Sequence, residues 1–110
     1  MGKTYDDIIR DVMENDTCGD NVRVVWTATD RNGERKTALT HYILGFVAHR
    51  TYGMRRFLSG WRVFDIEHLA DEKTWKRDWD AKRNWHPDTY ATEEDALAYM
   101  VGLSDYAMAH

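Results

Sequence analysis

The stretch VRVVWTATDRNGERKTALTHYI, residues 22–43, decides the fold. Val22, Val24, Trp26 and Ala28 recur at every second position, the period of a strand with one buried face. Asp30-Arg31-Asn32-Gly33-Glu34 follows. Asn-Gly is the strongest short hairpin signal, because both residues tolerate positive φ. Folding the chain about Asn32-Gly33 pairs Trp26 with Leu39 and Val22 with Ile43, on the face that carries Val24. Past residue 43 two readings stand. Leu39, Tyr42, Ile43, Phe46 and Val47 also fit a helix ending at Gly53, whereas Gly45 and the Thr-rich start favour a strand. Residues 44–52 stay open between strand and helix.

Upstream, residues 4–15 have the spacing of an amphipathic helix. Tyr5, Ile8, Ile9, Val12 and Met13 share one face. Thr4 is the expected N-cap, with Asp7 as its capping-box partner. Downstream, residues 54–58 and 61–67 form a second expected hairpin about Ser59-Gly60. Residues 71–85 fit a short helix with Asp71 as N-cap, Glu72→Lys76 and Asp78→Lys82 in the favourable i,i+4 order, and Pro87 beyond its end. Residues 92–108 give the clearest helix: Thr92 caps it, acids fill its first turn, and Leu97, Met100, Val101, Ser104 and Met108 make its apolar stripe. The fold class expected is α+β, in one domain spanning 1–110. It has an N-terminal helix, a three- to four-stranded antiparallel meander, a short Trp-bearing helix and a C-terminal helix.

Composition agrees with one packed domain. Of 110 residues, 43% are hydrophobic and 14 are aromatic, five of them Trp. This is enough apolar surface to offset chain entropy, which excludes global disorder. A single cysteine, Cys18, excludes a disulfide scaffold and a Cys-based zinc site within the chain. The longest apolar run, Tyr42–Ala48, is too short to span a bilayer. A cytosolic setting without a membrane partner is the expectation.

Charge is unevenly placed. The chain carries −4 in all, yet residues 1–20 hold six acids and two bases, and residues 87–110 hold five acids and no base. The thirteen other bases lie between, against eight acids. Either these are solvated faces of a polar protein, or they are two opposed electrostatic faces of which one steers a partner.

No Gly-rich nucleotide loop, zinc-protease helix motif, nucleophile elbow or EF-hand loop occurs. No cofactor is expected. His41, His49, His68, His86 and His110 match no metal-ligand spacing. Asp65, Glu67 and His68 are the groups a small acid–base enzyme would use, although carboxylates at i,i+2 are common on exposed strands.

Basic residues interleaved with aromatics carry more information. One cluster is Arg55, Arg56, Trp61 and Arg62, with Phe57 between them. The other is Trp75, Lys76, Arg77, Trp79, Lys82, Arg83 and Trp85. Trp and Arg dominate protein interfaces, and the same mixture binds single strands of nucleic acid, where cations track phosphates and rings stack on bases. The acids Asp71, Glu72, Asp78 and Asp80 dilute the second cluster. The leading expectation is therefore a non-enzymatic protein-binding module: a small inhibitor or regulator of a nucleic-acid-handling machine, like small viral or mobile-element proteins by analogy of size and chemistry alone. Direct single-stranded nucleic-acid binding is the alternative. Tyr99, Leu103 and Tyr106 widen the apolar stripe of the last helix beyond what one contact face needs, which points either to a self-association (homodimer) or partner surface there or to a helix clasped on two sides by its own domain. Gly102 in mid-helix points to close approach of another backbone there.

Overall fold

The computed structural model describes residues 2–67 and 83–109. Two terminal helices, α1 (Tyr5–Glu14) and α2 (Glu93–Ala109), flank six strands: β1 (Thr17–Cys18), β2 (Asn21–Thr29), β3 (Arg35–Ile43), β4 (Val47–Phe57), β5 (Gly60–Glu67) and β6 (Asn84–Trp85). The strands form one antiparallel meander in chain order.

The α+β class holds, but the expected architecture needs correcting. The sheet has six strands rather than three or four. Asn84 and Trp85, expected to close a Trp-bearing helix before α2, pair instead with Asp65 and Phe64 as an edge strand. Arg83 is not helical, and residues 71–82 of that expected helix lie outside the described residues. The described architecture is two terminal helices on a six-stranded sheet, in place of a smaller sheet with an additional middle helix.

Residues 44–52, open between strand and helix in the sequence, belong to a β3–β4 hairpin. Leu44 and Gly45 both have positive φ, 61° and 79°, and the Phe46 N–H donates to the Ile43 carbonyl at 3.4 Å. Positive φ at both central positions is what a type I′ turn requires. Leucine is a poor residue for it, so the sequence carries no turn signal there.

The β2–β3 register also differs from expectation by one residue. Trp26 faces Ala38 rather than Leu39, and Val22 faces Tyr42 rather than Ile43. The cause is Asp30. Its carboxylate accepts from the Asn32 and Glu34 N–H groups, both at 2.9 Å, while its carbonyl accepts from Gly33 N–H at 3.0 Å. Only Gly33 adopts positive φ. The connection is thus a type I turn followed by a left-handed glycine, not a two-residue Asn-Gly turn. A one-residue slip exchanges the faces of a strand. Trp26 therefore leaves the side of Leu39. The β4–β5 hairpin likewise turns at Leu58-Ser59, with Phe57 facing Gly60.

Both helices cover one face of the sheet. Thr4 and Asp7 form the capping box of α1. Tyr5, Ile8 and Val12 from α1 and Ala96, Leu97 and Met100 from α2 meet Leu39, Tyr52, Met54 and Val63 in the core. Each buried side chain of this size contributes about 1.5–3 kcal/mol. Met13, expected on the buried face of α1, is exposed.

Polar groups fix the helices to the strands. Tyr5 Oη lies 2.7 Å from Thr37 Oγ1. Arg23, its side chain 2% exposed, donates to Ser104 Oγ at 3.1 Å and the Asn15 carbonyl at 2.8 Å, and pairs with Asp105. Arg35 lies over the Tyr5 ring and pairs with Glu93, which raises the pKa of its guanidinium.

Candidate ligand-binding face

Strand alternation assigns the other face, opposite the two terminal helices. One row crosses five strands through the pairs Trp26–Ala38, Ala38–Gly53, Gly53–Phe64 and Phe64–Trp85. Aromatic residues stand at its two ends and small residues in the middle. Two residues further along each strand, the pairs Ala28–Lys36 and Arg55–Arg62 bring three cations to the same face. Rows two residues apart on a strand are about 7 Å apart. An aromatic row thus runs beside a cationic row.

The rings and cations order one another. Trp85 packs on Phe64 at 5.0 Å and on Phe57 at 5.3 Å between centroids. The Arg62 guanidinium lies 5.5 Å from the Trp85 ring centre and 6.0 Å from Phe57, and Arg55 lies 5.7 Å from Phe57. Arg83 sits 4.5 Å over Phe64. These distances are those of cation–π contact. Arg62 is also anchored to the His86 carbonyl by Nη2 at 2.8 Å.

A recess of about 390 Å³ opens on this face between Trp26 and Phe64, with Lys36, Arg55 and Arg83 among its lining. Among the described residues, no carboxylate side chain lines it. Farther along the same face, Thr40, Thr51 and Ile66 are buried, so the accessible part is the end carrying Trp26, Ala28, Lys36, Arg55 and Phe57.

The linear charge asymmetry becomes a layered one. The two helices together carry eight carboxylates, Asp6, Asp7, Asp11, Glu14, Glu93, Glu94, Asp95 and Asp105, against one cation, Arg10. They lie on the side away from Lys36, Arg55 and Arg62.

The expected partner-binding residues divide accordingly. Arg55, Arg62, Arg83 and Trp85 come together from both sequence clusters. Arg56 and Trp61 face each other on the helix side, where Trp61 packs against the core. Trp75, Lys76, Arg77, Trp79 and Lys82 lie outside the described residues. Trp26, Lys36 and Phe64 were missing from the expected set. For Trp26 the signal was strand alternation, which the one-residue register error assigned to the face of Leu39.

The expected acid–base group is rearranged. Asp65 is buried, accepts from Arg50 Nη1 at 2.9 Å and faces His86 Nε2 at 2.8 Å. His86 Nδ1 meets Tyr99 Oη at 2.9 Å. Both imidazole nitrogens are thereby occupied, and the chain Arg50–Asp65–His86–Tyr99 ties β4, β5 and the segment after β6 to α2. Glu67 is exposed, and its closest approach to Arg50 is 4.0 Å. His68 lies outside the described residues.

His41 is buried beside His49, ring centroids 5.5 Å apart, with no hydrogen-bond partner at either ring nitrogen. Burial, then His49, Arg23 and Arg50, lower its pKa. Among the described residues no group of three or more His, Cys, Asp or Glu side chains could hold a metal ion, and no helix is long and apolar enough to cross a membrane.

Of the expected self-association residues, Tyr99 bonds His86 and stacks on Tyr90, and Leu103 packs against the core. Tyr106 is 70% exposed. A Cβ added at Gly102 would meet open space, so no neighbouring backbone among the described residues explains that glycine. A further exposed apolar pair lies at the β3–β4 turn, where Leu44 is 56% and Phe46 75% exposed.

No family model matches the chain, and comparisons with curated proteins and with solved structures find no match for it.

Proposed function

We propose that this domain is a non-enzymatic binding module that takes single-stranded nucleic acid on the sheet face opposite its two terminal helices, in a cytosolic setting where the exposed thiol of Cys18 stays reduced. The observation that carries this reading is the pair of adjacent rows: the exposed ring of Trp26 and the partly exposed ring of Trp85, with Phe64 buried between them, beside Lys36, Arg55 and Arg62. Cations attract the phosphates and flat rings accept unpaired bases. The overall acidity of the chain is no obstacle, because its helical carboxylates lie on the other layer. The salt dependence of binding to a labelled oligothymidylate of about 15 nucleotides tests it. With three to four phosphates neutralised, log K falls against log salt with a slope of about −2 to −3. Arg55→Glu weakens binding, and a duplex of equal length binds less tightly. No saturable binding at about 50 mM salt, or a preference for the duplex, would overturn the reading.

The β3–β4 turn favours a second reading, a protein-docking module that regulates nucleic-acid machinery. Leu44 and Phe46 project at the end of the sheet opposite Arg55, roughly 30 Å away along β4. The Leu44 N–H donates to the Asp20 carbonyl, and neither Asp16–Asn21 nor Ile43–Ala48 contains a Lys or Arg. The partner that fits is a protein with an apolar pocket rimmed by cations. Its discriminating test compares two variants against the same captured protein: Phe46→Asp loses it and Arg55→Glu keeps it. The reverse pattern removes this second reading.

A further inference from the structure

We propose that Trp26 is a preformed stacking platform for one unpaired base, which enters the recess between Trp26 and Phe64 while its phosphate lies against Lys36 and Arg55. This inference rests on the nucleic-acid reading above and assigns the base-binding position within it. Isolated exposed hydrophobic residues are ordinary on protein surfaces. Trp26 differs in how it is held. Its indole Nε1 donates to Thr40 Oγ1 at 2.8 Å, and Thr40 Oγ1 lies 2.9 Å from Thr51 Oγ1. Thr40 and Thr51 are buried. The polar edge of the indole is thus satisfied inside the sheet, whereas the residue remains 52% exposed. A ring whose orientation is fixed before binding loses little entropy when a ligand stacks on it.

The neighbouring surface has matching chemistry. The recess volume of about 390 Å³ is within the usual range for small-ligand sites. Ala28 and Ala38 keep its base shallow and apolar, as the flat face of a nucleobase requires. The opposite wall is Phe64, whose ring lies directly on Gly53. Any side chain at residue 53 would meet the ring at 2.4 Å. Among the described residues, Lys36 makes long ion pairs of 3.8 and 4.0 Å to Asp30 and Glu34, weak enough for its ammonium to turn to a phosphate at the rim. An anionic ligand with a flat apolar body answers all of these features. A phosphate without a base leaves Trp26 uncovered, and a base without a phosphate leaves the cations unused.

The test uses two probes of equal length, an oligothymidylate and an oligomer of abasic deoxyribose phosphates, with the full chain and the variants Trp26→Phe and Trp26→Leu. Both variants lose the indole hydrogen bond to Thr40 and both keep an apolar residue, but only phenylalanine keeps a π-face. The parent protein binds the thymidylate about 5- to 150-fold more tightly than the abasic strand. Trp26→Phe preserves most of that ratio and Trp26→Leu abolishes it, while affinity for the abasic strand stays unchanged in both. Equal affinity of the parent for the two probes overturns the stacking site and leaves the nucleic-acid reading standing on its phosphate contacts. A ratio unaffected by either substitution also overturns it, since the base then stacks elsewhere. Failure of both probes to bind the parent removes the nucleic-acid reading and this inference together.

Discussion

Gly53→Ala is the substitution through which packing and the proposed site are most tightly linked. Gly53 lies in the middle of the aromatic row, and its φ is not in the left-handed region, so backbone strain plays no part. In an open strand the change would stabilise the protein by about 0.4–1 kcal/mol through the unfolded chain. Here the new Cβ would stand 2.4 Å from Phe64 Cζ and 2.9 and 3.0 Å from its Cε atoms. Ordinary carbon–carbon contact is about 3.5–4 Å, so the ring must retreat by roughly 1 Å. It has little room, being buried against Trp85 with Arg83 above it. Overpacking of this kind costs about 1–3 kcal/mol, more than the gain. The expected result in urea denaturation is a lower midpoint at unchanged m. Phe64→Leu removes the atoms in conflict, so in that background Gly53→Ala becomes neutral or stabilising. The coupling between the two sites is then about 1–3 kcal/mol. A single variant Gly53→Ala as stable as the parent would falsify the placement of Phe64 on Gly53, and with it one wall of the recess.

Other substitutions probe separate parts of the account. Gly102→Ala adds a methyl group in open space on α2 and raises stability by about 1 kcal/mol, seen as a melting temperature higher by about 4–8 °C; a lower melting temperature means that something packs there. Leu44→Asn relieves an exposed leucine at positive φ and stabilises the β3–β4 turn by up to about 1–2 kcal/mol in denaturant titrations, whereas a loss shows that the leucine is packed. His41 binds its proton less readily folded than unfolded, so its contribution to stability declines as pH falls through about 6.5 toward its lower folded pKa. His41→Leu reduces the slope of stability against pH in that window by at most about 1.4 kcal/mol per pH unit, and an unchanged slope places the titration on other groups.

Much of the helical part was legible in the sequence because its signals are local. Thr4 with Asp7, and Thr92 followed by acids, mark helix starts through bonds made within one turn of chain. Sheet register depends on turn geometry, and there local signals misled. Asn32-Gly33 points to a two-residue turn, but the Asp30 carboxylate holds a longer one and moves Trp26 to the other face. At Leu44-Gly45 the backbone adopts a turn that leucine does not advertise. Edge strand β6 has only two residues, too few for periodicity to appear. The candidate site was half visible for the same reason. Arg55, Arg62, Arg83 and Trp85 stood out by composition, whereas Trp26, Lys36 and Phe64 join them only after three strands pair in the correct register. The acidic ends and basic middle of the chain were plain in the sequence. That the carboxylates of both ends share one layer, away from Lys36, Arg55 and Arg62, follows from both helices packing on one side of the sheet.

The most direct test of the central claim is an NMR titration of the isotope-labelled protein with an unlabelled oligothymidylate, following backbone amides and the Trp26 indole N–H. The account predicts saturable shifts concentrated at Trp26, Ala28, Lys36, Arg55, Arg62 and Trp85, with the amides of α1 and the exposed side of α2 unmoved. Shifts centred on the helices or on Leu44 and Phe46, or a spectrum unchanged at low salt, would contradict it.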